Sequence, residues 1–142
     1  ASELEAAIRD GAATIGAEIR MAIDEDGGRV VFDRWGEIVG VSAELLAALA
    51  EPFREATQRE LTPENYPFTG TAALLGRTHC ESDETFRRRV LRCRNKITKM
   101  AKRAGDQAPS IDAVIENSQR HGYRLNPDRV RIVALSELHR EK

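Results

Sequence analysis

The stretch 82-SDETFRRRVLRCRNKITKMAKRAG-105 decides the reading of this chain. It spells one long helix with a marked start, a marked end and one apolar side. Ser82 stands where a hydroxyl caps the first backbone N–H groups, and Asp83 and Glu84 follow where the helix dipole favours negative charge. Gly105 supplies the stop. Phe86, Val90, Cys93, Ile97, Met100 and Ala104 recur every three or four residues, so at 100° per residue they fall within about 40° of one line. The far side carries Arg88, Arg92, Asn95, Lys99 and Lys102, and the flanks carry Arg87, Arg89, Arg94, Lys96 and Arg103.

The whole chain has 22 Lys/Arg and 23 Asp/Glu, a formal net charge of -1. Residues 77 to 104 alone hold ten bases against three acids, whereas residues 1 to 76 hold fourteen acids and six bases. The field near a surface follows charges within about 10 Å, so the local excess and not the total sets the partner. A solvated charged face is the ordinary explanation for such a helix. Here no carboxylate follows Glu84 on it, so pairs four residues apart cannot neutralise the outer side, and like charges this dense oppose one another without an anion nearby. The partner expected is double-stranded DNA.

Upstream, Thr71 to Arg77 reads as a short helix, broken by "THCES". Short helix, turn, long basic helix and then a polar hairpin is an arrangement that lays a helix in the major groove. Before it, residues 42 to 60 read as a helix with Leu45, Leu46, Leu49, Phe53 and Ala56 on one face, and Pro52 is expected to kink or split it. "RVVFDRWGEIVGV" reads as a short hairpin with Gly36 at the left-handed turn position. Residues 2 to 25 read as an amphipathic helix through Leu4, Ile8, Ala12, Ile15, Ile19 and Ile23, opened by a Ser2/Glu5 capping box. That helix either packs on its own domain or forms a homodimer that presents two recognition helices. Downstream, residues 111 to 118 look extended, "QRHG" is a turn, "YRLN" is a return strand, "RVRIVAL" is a third strand and "SELHREK" is a polar tail.

The expected fold class is mainly α with a small β component: a winged helix-turn-helix plus an N-terminal amphipathic helix and β-hairpin. Residues 1–28 form the N-terminal element and 29–142 the DNA-binding domain, with the recognition helix at about 82–104 and the wing at about 114–126.

Other chemistry finds little support. Cys80, Cys93 and His79 have no metal-ligand spacing, and Cys93 lies on the apolar face. Adjacent side chains at 79 and 80 point apart, so they make no nucleophile pair. No Gly-rich phosphate loop, G-x-S-x-G or paired-carboxylate motif is present. The expectation is no enzyme, no metal and no cofactor. Aromatic residues make up 5% of the chain, too few for base stacking on single strands, and Trp35 and Tyr123 read as packing residues. The longest apolar runs are a few residues, which argues against a membrane span, and two cysteines without a redox motif fit a cytoplasmic setting.

"TFRRRVLRCRNKI", residues 85 to 97, resembles the recognition helix of the OmpR/PhoB-type winged-helix domains of bacterial transcriptional regulators. Thr85, Phe86, Val90, Arg92, Cys93, Arg94, Lys96 and Ile97 fall on that pattern. "IENSQRHGYRL", residues 115 to 125, is similar to the family's wing through Ile115, Gly122, Tyr123 and Arg124. The chain departs from the family at Ser118, Gln119 and Arg120, is expected to lack a receiver domain, and has a longer connector before the wing. "ELTPEN" at 60 to 65 imitates the family's first-helix signature, but that register leaves too little chain before Thr85 for two helices.

The resemblance implies sequence-specific binding of duplex DNA by a transcriptional regulator. Arg92, and second Arg88, would reach base edges, where arginine binds guanine O6 and N7. Asn95 would pair with adenine. Arg89, Arg94 and Lys96 would hold phosphates, Arg87 and Lys99 would belong to the same DNA-binding set, and Arg120 and His121 at the wing turn would enter the minor groove or touch its phosphates. Two alternatives stay open: a winged-helix module of a replication or partition protein, and an interaction domain docking its cationic helix on an acidic protein.

Overall fold

The structure is a computed structural model that describes residues 18–139. It begins with β1 (Ile19–Asp24), where the sequence suggests the end of a helix. Ile15, Ile19 and Ile23 are four apart, but Ile19, Met21 and Ile23 are two apart, so the pattern over these residues serves either period. Hydrogen-bonding partners decide it. β2 (Arg29–Phe32) pairs antiparallel on one side, and β6 (Val130–Ile132) pairs parallel on the other. The remainder of the expected helix, residues 1–17, and its dimer role lie outside the described residues.

The β1–β2 turn is held by one carboxylate. Asp24 accepts from the Gly27 N–H at 3.0 Å and from Arg29 Nε at 2.8 Å. Those bonds, the arginine's first, keep the Asp24 carboxyl below its usual range. β3 (Gly36–Val39) then completes the expected hairpin. Positive φ is shared between Arg34 at 69° and Gly36 at 120°. Trp35 between them stacks on Phe32, centroids 5.9 Å apart.

Helix α1 (Val41–Gln58) runs through Pro52 without a break. Proline removes one backbone bond, yet Leu45, Leu46 and Leu49 before it and Phe53 and Ala56 after it are all buried. Both halves are anchored in one core, so the lost bond does not divide them. After the 3-10 turn Pro63–Asn65 come α2 (Thr71–Arg77) and α3 (Asp83–Arg103). Ser82 caps α3 as expected, its Oγ accepting from the Thr85 N–H at 3.2 Å. Phe86, Val90, Cys93 and Ile97 are buried as expected. In the last turn Ala101 is buried, Met100 is half-buried against the core and Ala104, beyond the helix, is exposed.

Cys93 shows how closed this core is. Burial pushes its thiol up to about 12, so no thiolate is available near neutral pH. A thiol reagent at pH 8 should leave Cys93 unlabelled in the native protein and label it fully in denaturant. Mass spectrometry after a short pulse checks this.

The hairpin expected as the wing consists of β4 (Ile115–Ser118) and β5 (Gly122–Leu125), paired Ser118 to Gly122 around a three-residue loop. The expected third strand exists as β6, but it joins the other sheet beside β1. The sheet order is β3-β2-β1-β6, and β4-β5 stand apart as a pair. Part of the expected polar tail forms a short helix, α4 (Leu135–His139), that buries Leu138.

Helix accounts for 44% and strand for 21% of the described residues, with a four-stranded mixed sheet. The fold is therefore α/β and not mainly α. The mixed sheet escapes a local reading because it joins residues 19–24 to residues 130–132, and a parallel pair leaves no turn signature between its strands.

Candidate nucleic-acid interface

The interface is built on α3 and what braces it. Helix α2 ends at Thr78, whose buried hydroxyl donates to the Leu74 carbonyl at 2.7 Å. The Thr78 carbonyl accepts from Arg89 Nη1 at 3.0 Å. Arg89 therefore ties the end of α2 to α3. On the other flank Arg94 donates to the Ile115 carbonyl at 2.7 Å and lies 3.6 Å from Asp112. Its Nε is buried without a partner. Arg94 thus fastens α3 to the base of the wing. A third brace reaches past the C-terminus of α3, where Trp35 Nε1 donates to Asp106 at 2.6 Å.

These bonds separate the cations of α3 into two sets. Arg89 and Arg94 were expected at phosphates, but they hold carbonyls inside the protein. Arg88 is exposed and pairs with Glu84 at 2.7 Å. Among the described residues, Arg87, Arg92, Asn95, Lys96 and Lys99 are exposed and make no ion pair or hydrogen bond. They form the outward side of the helix, continued by exposed Lys102 and Arg103 in the last turn. An exposed pair such as Arg88–Glu84 is worth little and opens readily for a stronger anion.

The wing tip is Gln119, Arg120 and His121, all exposed. The His121 ring lies 6.3 Å from that of Phe68. Behind the tip the hairpin is locked. Thr69 exchanges two backbone hydrogen bonds with Tyr123, at 2.8 and 3.0 Å. The Tyr123 ring packs edge-on to Phe86 of α3 at 5.3 Å. Arg124 donates to Glu116 at 2.8 Å and to the Tyr66 carbonyl at 2.7 Å, and lies over the Phe68 ring. The residues that carry the wing resemblance, Gly122, Tyr123 and Arg124, thus serve to join the hairpin to α3 and to the connector before α2.

No protein-family model, curated protein or solved structure matches this chain.

What the interface does must follow from its own chemistry. The sequence reading left Leu91 without a role. It is 58% exposed amid the outward cations, and with exposed Ile111 it borders an apolar groove of about 170 Å³ beside α3. The signal was present: Leu91 is a leucine well off the stripe that runs from Phe86 to Ile97. Among the described residues no three His, Cys, Asp or Glu side chains gather at a metal site, and no helix is long and apolar enough to cross a membrane.

Proposed function

We propose that the chain binds double-stranded DNA in the manner of a winged-helix transcriptional regulator, with α3 in the major groove and the 119–121 loop against the adjacent backbone. One observation carries this reading. Among the described residues Arg87, Arg92, Lys96 and Lys99 have no counter-charge, while Arg89 and Arg94 hold the helix in place. Such a surface is complementary to a row of phosphates. Arg92 is the residue for a base edge and Asn95 for adenine. Leu91 suits a thymine methyl group. Arg87, Lys96 and Lys99 take phosphates, and Arg120 and His121 contact the duplex from the wing.

Three substitutions test this together. On a selected site Arg92→Ala should cost about 1–3 kcal/mol and relax preference at one or two base pairs. Lys96→Ala should weaken matched and scrambled duplexes alike. Arg89→Ala should instead lower the melting temperature, because it leaves the Thr78 carbonyl without its donor. Fluorescence anisotropy with both duplexes and thermal unfolding give the readings. If Arg92→Ala and Lys96→Ala act identically on both duplexes, the division into reading and anchoring residues fails. If the wild-type chain binds neither duplex but binds an acidic protein domain, the DNA proposal fails.

A further inference from the structure

Between α3 and the start of α1 lies an open cavity of about 390 Å³. One wall carries Arg88, Arg89, Arg92 and Lys96, and the other is the chain from Val39 to Ser42. Gly40 is the N-cap of α1, with φ 74°, and no side chain caps the helix. A Cβ on Gly40 would meet nothing within 4 Å. The Glu44 N–H returns to the Gly40 carbonyl at 3.0 Å. Those of Val41, Ser42 and Ala43 make no hydrogen bond among the described residues. The positive end of an 18-residue helix thus faces a cationic wall across open space. Glu44, the acid in the first turn, does not line the cavity.

Ser42 is the independent observation. It is 3% exposed and stands on the inward stripe of α1 with Leu46, Leu49 and Phe53. Its hydroxyl has no hydrogen bond among the described residues, and it lines the cavity. Its oxygen is not sealed from solvent: among the described residues Arg94 Nε alone is a fully buried side-chain nitrogen or oxygen without a partner. Packing alone calls for an apolar side chain at that position. A hydroxyl donor beside free helix N–H groups, in one cavity lining with Arg92 and Lys96, calls for an oxyanion.

We propose that this cavity is a site for one phosphate group. The Ser42 hydroxyl and the first N–H groups of α1 form its floor, and Arg92 and Lys96 supply its charge. Two sources offer that chemistry. One is a backbone phosphate of the duplex, and that version rests on the DNA reading above. The other is a free phosphate or the phosphate of a small molecule.

The test uses the full chain labelled with ¹⁵N. The amide signals of Val41, Ser42 and Ala43 are followed during titration with inorganic phosphate at constant ionic strength, and separately with a mixed-sequence duplex. Ser42→Ala is carried through both arms. Removing an unpartnered hydroxyl should leave the melting temperature unchanged or raise it, so any loss of binding is not a loss of folding. The three amides should move with at least one titrant, and Ser42→Ala should weaken that interaction about five- to tenfold. Movement with duplex alone assigns the site to the DNA backbone. Movement with phosphate and no duplex binding keeps the site, assigns it to a free phosphate and removes the DNA reading. Duplex binding with still amides and an unaffected Ser42→Ala variant overturns the site and leaves the DNA reading intact. Still amides in both arms overturn the site outright.

Discussion

Gly122→Ala should cost this protein about 3–5 kcal/mol and lower its melting temperature by roughly 10–15 °C. Gly122 has φ 104°, a backbone conformation that L side chains rarely adopt. A Cβ there would stand 1.9 Å from the Thr69 carbonyl oxygen, 2.7 Å from its carbon and 2.9 Å from the Gly70 Cα. All three are backbone atoms, so no side chain can swing aside. Relief requires moving the connector away from the wing, and that breaks the two bonds between Thr69 and Tyr123. The Tyr123–Phe86 contact with α3 would loosen with them. Gly28→Ala is the control. Its φ is 63°, but nothing lies within 4 Å of the new Cβ, so only the backbone term of about 1–2 kcal/mol remains. Thermal unfolding of both variants decides. Equal losses would mean that the close approach at Thr69 carries no energy and that the wing is not fastened there.

The second large effect is a change in affinity with salt. On mixed-sequence DNA, where Arg92 has no preferred base to read and joins Arg87, Lys96, Lys99 and Arg120 at the phosphates, about five counterions leave the duplex. Affinity for mixed-sequence DNA should then fall about 500-fold between roughly 50 and 200 mM salt. Arg89 and Arg94 are engaged with backbone carbonyls of the protein, so Arg89→Ala should leave the salt slope unchanged. Lys99→Ala should reduce it by about one unit. The comparison separates cations that meet DNA from cations that only raise the local charge. A flat response to salt, or the same slope change for Arg89→Ala and Lys99→Ala, would sink the assignment.

The sequence by itself determined α3, its Ser82 cap and most of its buried stripe, because a helix closes its hydrogen bonds within the segment and repeats its faces at a fixed period. The hairpins of residues 29 to 39 and 115 to 125 were legible for a similar reason: their turns and alternating residues lie next to each other in the chain. The excess of cations on α3 was legible as a count.

Tertiary structure alone decided what those cations do. Arg89, Arg92 and Arg94 are the same residue type within two turns of one helix, yet only Arg92 is left without a protein partner. An arginine side chain reaches a carbonyl or reaches water according to whether the fold places an acceptor nearby. The acceptors of Arg89 and Arg94 are 11 and 21 residues away in the chain, and that of Arg124 is 58 away. The same distance in sequence hid the sheet. Residues 19 to 24 carry a pattern that fits a helix or a strand, and they become a strand because β2 and β6 supply hydrogen bonds on both edges. Local periodicity cannot register a partner more than a hundred residues away, and that partner helped turn an expected mainly α fold with a small β component into an α/β fold.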